Sequence, residues 1–111
     1  MVYTRVENLL TELEAALKAA QLWRSSKPPL TALMSTAPFC CDTLTLEEWL
    51  QFLFIPQMQF LLKQRRPLPG QSGIAVMAEQ VWRLQSPKMQ LIYDLLKALD
   101  STLTESREIN G

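Results

Sequence analysis

Four stretches of the chain carry apolar residues at three- and four-residue steps, and proline-bearing breakers cut them apart. This pattern constrains the fold most, because a 3.6-residue period gathers such residues onto one face of a helix. The first stretch runs from about Tyr3 to Trp23. Val6, Leu9, Leu10, Leu13, Leu17 and Ala20 share one side, with Arg5, Glu12 and Lys18 largely opposite. Thr4 and Glu7 have the spacing of a capping box at its start. Ser25-Ser26-Lys27-Pro28-Pro29 ends it. A shorter helix is predicted over about 73–85, with Ser72 as its cap and Ile74, Met77, Ala78, Val81 and Trp82 inward. The last stretch opens on Ser86-Pro87, an N-cap followed by proline at the first helical position. It carries Met89, Ile92, Leu95, Leu96, Leu99 and Leu103.

The second of the four helices is the most informative. Thr45 and Glu48 form a capping box by spacing, and Leu44 and Trp49 are placed as a hydrophobic staple. The helix is predicted to run to about Arg66, where Pro67-Leu68-Pro69-Gly70 stops it. Pro56 lies inside it and removes the amide that would bond the Phe52 carbonyl, so a kink is expected. At about 100° per residue, Leu46, Trp49, Leu50, Leu53, Phe60 and Leu61 fall on one stripe. Phe54, Ile55, Met58 and Leu62 fall on another, roughly opposite. A helix apolar on two sides needs cover on both. The connection ahead of it holds Leu30, Leu33, Met34 and Phe39 and is expected to pack across the helices. A protein partner or a small apolar ligand would serve the same end. Phe39, Trp49, Phe54, Ile55, Pro56 and Met58 are therefore the candidate partner- or ligand-binding residues.

No strand-like alternation appears, so the expected fold is all-α. It is an up-and-down antiparallel four-helix bundle with a long packed loop between helices 1 and 2. Residues 1–104 form the single domain, and 105–111 form a polar tail. The densest apolar run, Trp49 to Ile55, falls far short of the roughly twenty residues a membrane span requires. The N-terminus lacks a basic region followed by an apolar run, so no signal peptide is expected. The adjacent Cys40 and Cys41 are poorly placed to bridge each other. A reducing cytoplasm is the expected compartment.

Composition narrows the chemistry. The chain has no histidine, which removes the commonest acid–base and metal-ligating group. Its glycines are Gly70, Gly73 and Gly111, too few and too scattered for a phosphate-binding loop. No metal or cofactor is expected. Asp42, just ahead of the second helix, is the one candidate for a catalytic role, and support of the helix N-terminus accounts for it more simply. Eleven Lys and Arg balance eleven Asp and Glu, so no global field draws in nucleic acid. Lys63, Arg65 and Arg66, with Arg83, form the one basic group that could touch RNA. A helix C-terminus favours such charge without any ligand. The expected function is a non-enzymatic interaction or accessory module, monomeric or weakly dimeric.

Pro38-Phe39-Cys40-Cys41-Asp42-Thr43, Glu48-Trp49-Leu50-Gln51, Phe54-Ile55-Pro56-Gln57-Met58, Pro67-Leu68-Pro69-Gly70 and Met77-Ala78-Glu79 follow one another in order. Together they resemble the YqcC-like family of small bacterial helical proteins. Gln57 stands where that family often carries arginine, and Val76 where proline is usual. The resemblance implies a four-helix bundle. Members are sometimes labelled tRNA pseudouridine synthase C, which implies, as the alternative function, an accessory role in tRNA pseudouridylation with tRNA as a partner.

Overall fold

The computed structural model describes residues 2–37, 43–68, 73–82 and 86–110. These are all-helical: α1 (Val2–Ala19), α2 (Leu30–Leu33), α3 (Leu46–Trp49), a π turn (Leu50–Phe54), α4 (Ile55–Lys63), α5 (Ile74–Val81) and α6 (Pro87–Asn110). α6 packs against α1 and α5, and α1 also meets α4. Val6, Leu10, Leu13 and Leu17 of α1 and Ile92, Leu96, Leu99 and Leu103 of α6 are buried, each set at steps of four, three and four. Matched spacing of this kind keeps two apolar seams facing along their length. Each such side chain contributes about 1.5–3 kcal/mol by leaving water.

Several ends differ from expectation, for local reasons. α1 begins at Val2, so Thr4 lies inside the helix and the expected Thr4–Glu7 capping box is not its start. It closes at Ala19, short of Trp23. Gln21 takes a left-handed φ of 62°, and the Leu22 N–H reaches back to the Leu17 carbonyl at 2.9 Å. Arg65 does the same after α4, with φ 54° and the Arg66 N–H on the Leu61 carbonyl at 2.9 Å. Both are Schellman-type closures made without glycine. α6 starts as predicted, the Lys88 N–H bonding the Ser86 hydroxyl oxygen at 3.1 Å, but stays helical to Asn110, past the point where a tail was expected.

The second helix holds the main correction. The Ile55 N–H bonds the Leu50 carbonyl, five residues back rather than four. One extra residue in the ladder turns everything after it by about 100°. Leu46, Leu50, Phe54, Ile55 and Met58 then lie on a single stripe, and all are buried. Trp49, Leu53, Leu61 and Leu62 flank it, half-buried, while Phe60 is 53% exposed. The irregularity expected at Pro56 takes the form of this π turn just before it. Pro56 then falls in the first turn of α4, where a missing amide is tolerated.

Of the four apolar residues expected to cover the helices from the connection between α1 and α3, Leu30 and Met34 do not, Leu33 is half-buried, and Phe39 lies outside the described residues. Leu30 and Met34 are 70% and 68% exposed, and α2 buries none of its residues. Polar tethers hold this segment instead. Gln51, buried on the π turn, donates from Nε2 to the Arg24 carbonyl and accepts from the Arg24 N–H, both at 2.8 Å. The Thr43 hydroxyl donates to the Ala32 carbonyl at 2.7 Å.

Candidate functional site

The residues singled out from sequence are dispersed. Phe54, Ile55 and Met58, expected on an outward stripe, are core residues, because the π turn rotates them inward. Trp49 is half-buried, its ring stacked on that of Phe54 at a centroid distance of 5.4 Å. Pro56 is exposed. Lys63, Arg65 and Arg66 are exposed at the end of α4, where the Tyr3 hydroxyl donates to the Arg66 carbonyl at 3.1 Å. Phe39, Asp42 and Arg83, together with Cys40, Cys41 and the predicted cap Ser72, lie outside the described residues.

An apolar groove does lie beside the second helix, at its start rather than its middle. Leu44, Thr45, Leu46 and Glu47 form one side and Met77, Val81 and Trp82 the other, around a half-open volume of about 440 Å³. That lies within the range of side-chain and small-ligand pockets, about 300–1,000 Å³. Two local arrangements set its walls. On the α3 side the capping box is complete: the Glu48 N–H bonds the Thr45 hydroxyl oxygen at 3.3 Å, and the Glu48 carboxylate accepts from the Thr45 N–H at 2.9 Å. The Thr45 hydroxyl also lies 3.0 Å from that carboxylate. The backbone hydrogen bond from Thr45 holds the Glu48 carboxyl below its ordinary pKa. Partial burial opposes this, and the Thr45 hydroxyl and the Arg24 charge add to it.

On the α5 side, the helix stops at Val81 because Trp82 turns extended, at φ −107° and ψ 147°. The start of α5 is held from a distance. Gly73 caps it in a left-handed conformation without a side-chain hydrogen bond, and Asp100 of α6 accepts from the Ala75 N–H at 2.9 Å. Asp100 is therefore an interhelix cap. Val81, read as a core residue, is 51% exposed on the groove. The short reach of α5 was not visible in the apolar spacing, which continues through Trp82.

Two features give the groove its chemical character. The Trp82 Nε1–H is buried and has no hydrogen-bond partner among the described residues. The Glu47 carboxylate has neither an ion pair nor a hydrogen bond among the described residues, whereas that of Glu48 is engaged in the cap. The arrangement can seat an apolar side chain beside a negative charge. Its hydroxyl and one of its carboxylates are committed to holding the helix start. Among the described residues, no group of three or more Cys, Asp or Glu is placed to hold a metal ion, and no helix is long and apolar enough to cross a membrane.

A family model described as tRNA pseudouridine synthase C (DUF446) matches residues 5–102. The chain is 37% identical over 103 residues to the uncharacterized protein YqcC of Escherichia coli (strain K12), covering 93% of this chain and 94% of that one. An uncharacterized protein of Haemophilus influenzae is 34% identical over 87 residues, covering 78% and 82% respectively. A protein of Pectobacterium carotovorum subsp. carotovorum named tRNA pseudouridine synthase C is 34% identical over 79 residues, covering 71% of this chain but 21% of that protein. The solution NMR structure of E. coli YqcC superposes with a TM-score of 0.82 at 36% identity, over 95% of this chain and 90% of that one.

Proposed function

The chain belongs to the YqcC family, and on that premise we propose that it is a non-enzymatic docking module that binds a protein partner through the groove between α3 and α5. The carrying observation is Val81. It is a β-branched apolar side chain left half in solvent on an apolar groove, beside a carboxylate that has no partner among the described residues. We read the scaffold as an up-and-down four-helix bundle in which α3, the π turn and α4 act as one bent helix; the packing of α6 on α1 and α5 supports this.

One observation favours a more specific reading, an accessory role in tRNA pseudouridylation. The region shared with the Pectobacterium synthase accounts for only 21% of that protein. Most of that protein therefore lies outside the match, and we assign the catalysis its name denotes to that remainder. Physical linkage of the two parts in one chain supports a partnership where they are separate. Within this reading, the exposed Lys63, Arg65 and Arg66 are the groups that would meet tRNA phosphate.

The test is an affinity pull-down of the full chain from native lysate, with the retained protein and RNA identified. A protein partner lost in Val81→Asp but kept in Val76→Asp, an exposed α5 position that does not line the groove, is the expected result. A pseudouridine synthase among the retained proteins would establish the accessory reading. Retention of RNA alone, abolished in Arg65→Ala/Arg66→Ala, would replace docking by RNA contact. No retention at all would overturn both.

A further inference from the structure

We propose that the groove between α3 and α5 receives a cationic amphipathic segment, with one large apolar side chain seated among Leu44, Leu46, Met77 and Val81 and a Lys or Arg against Glu47. This rests on the reading of the chain as a protein-docking module and specifies what it docks. The charge of the described residues around the groove decides the sign. From residue 28 to residue 62 the only ionisable charges are Asp42, Glu47 and Glu48, all acidic. Of the two glutamates at the groove, Glu48 is held by Thr45 and lies within reach of the Arg24 charge, which leaves Glu47 as the anion with no partner among the described residues. On α5 the one charged residue, Glu79, accepts from the Tyr93 hydroxyl at 2.5 Å. No described cation lines the groove.

Two further grooves among the described residues differ from it in charge or in the size of their walls. The groove between α1 and α4 carries both Glu7 and Lys63, and that between α1 and α6 sets Glu12 beside Ala15, Ala16, Ala19, Leu91 and Leu95, with small alanines where the α3–α5 groove has leucine, methionine and tryptophan walls. An apolar seat beside a single unpaired charge selects partners by charge as well as by shape. A domain that holds tRNA must itself be rich in Lys and Arg, so a synthase surface would supply such a segment.

The experiment titrates the full-length, isotopically labelled protein with two synthetic peptides of equal length, each with leucine on one helical face. One carries lysine on the other face, and the second carries glutamate. The leucine–lysine peptide is expected to shift the Trp82 indole N–H and Met77 methyl resonances. Its affinity should fall about tenfold in Glu47→Lys, vanish in Val81→Asp, and stay unchanged in Glu12→Lys on the far groove. The leucine–glutamate peptide is expected not to bind the native protein. Equal affinity for both peptides, shifts centred outside the groove, or no binding of either would overturn the proposal. The pull-down with Val81→Asp then decides separately whether the module docks proteins at all.

Discussion

α1 and the bent helix formed by α3, the π turn and α4 have the same length but bury their apolar residues in different ways. α1 keeps one hydrogen-bond ladder and presents Val6, Leu10, Leu13 and Leu17 along a straight seam. The bent helix buries Phe54 and Ile55, which are consecutive and would stand about 100° apart on a regular helix. The added residue in its ladder lets both face the core. An apolar surplus around a helix therefore need not signal an exposed patch. It can also be the trace of a shifted ladder.

The largest test of that contrast is a pair of truncations on the bent helix. With the π turn, Met58→Ala opens a core cavity and should cost about 2–5 kcal/mol, comparable to Leu13→Ala on α1. Phe60→Ala removes a mostly exposed ring and should cost under about 1 kcal/mol. A helix of uniform period would bring Phe60 onto the face of Leu46 and Leu50 and place Met58 away from it. Chemical denaturation of both variants separates the alternatives, and a reversed order of losses would show that the ladder is regular in solution.

The second test concerns what the π turn does with its polar residue. Gln51 interrupts the apolar run and yet is buried, because its amide replaces a backbone partner for Arg24 on both sides. Gln51→Ala strands the N–H and carbonyl of Arg24, which should cost about 1–3 kcal/mol and accelerate hydrogen exchange of the Arg24 amide. The matching change on α1, Thr11→Ala, removes only a local hydroxyl bond to the Glu7 carbonyl and should stay within about 0.5 kcal/mol.

These contrasts also explain what was legible in the sequence. Regular seams were readable, as α1 and α6 show, because 3.6-residue spacing translates directly into burial. The Thr45–Glu48 and Ser86–Pro87 starts were readable because caps are local chemistry. The π turn was not, since nothing in residues 50–54 announces a change of period. The error then propagated to the candidate site, moving Phe54, Ile55 and Met58 from surface to core. The observed groove needs the end of α5 and the start of α3 to meet across a long connection. Its members Leu44, Glu47 and Val81 carry no shared signal along the chain. Asp100 was missed in the same way, because its partner is the backbone of another helix.

The smallest effect sits where the bent helix has something α1 lacks among its described residues, a reciprocal cap at its start. Thr45→Ala removes the hydroxyl acceptor and should cost about 1 kcal/mol. Glu48→Gln is subtler, because glutamine can still reach back to the Thr45 N–H. What it removes is the charge. The Glu48 carboxyl titrates below its ordinary value in the folded chain, so its contribution is fully present above about pH 4.5, the unperturbed value, and is lost as pH falls through the lowered one. The carboxylate is largely exposed and screened, so the step should amount to a few tenths of a kcal/mol. Thermal unfolding across that acid range should show native stability declining by this step, with Glu48→Gln flatter over the same window. Parallel curves for the two proteins would mean that the carboxylate holds the helix start by hydrogen-bond geometry alone, and that the groove's anionic character rests on Glu47.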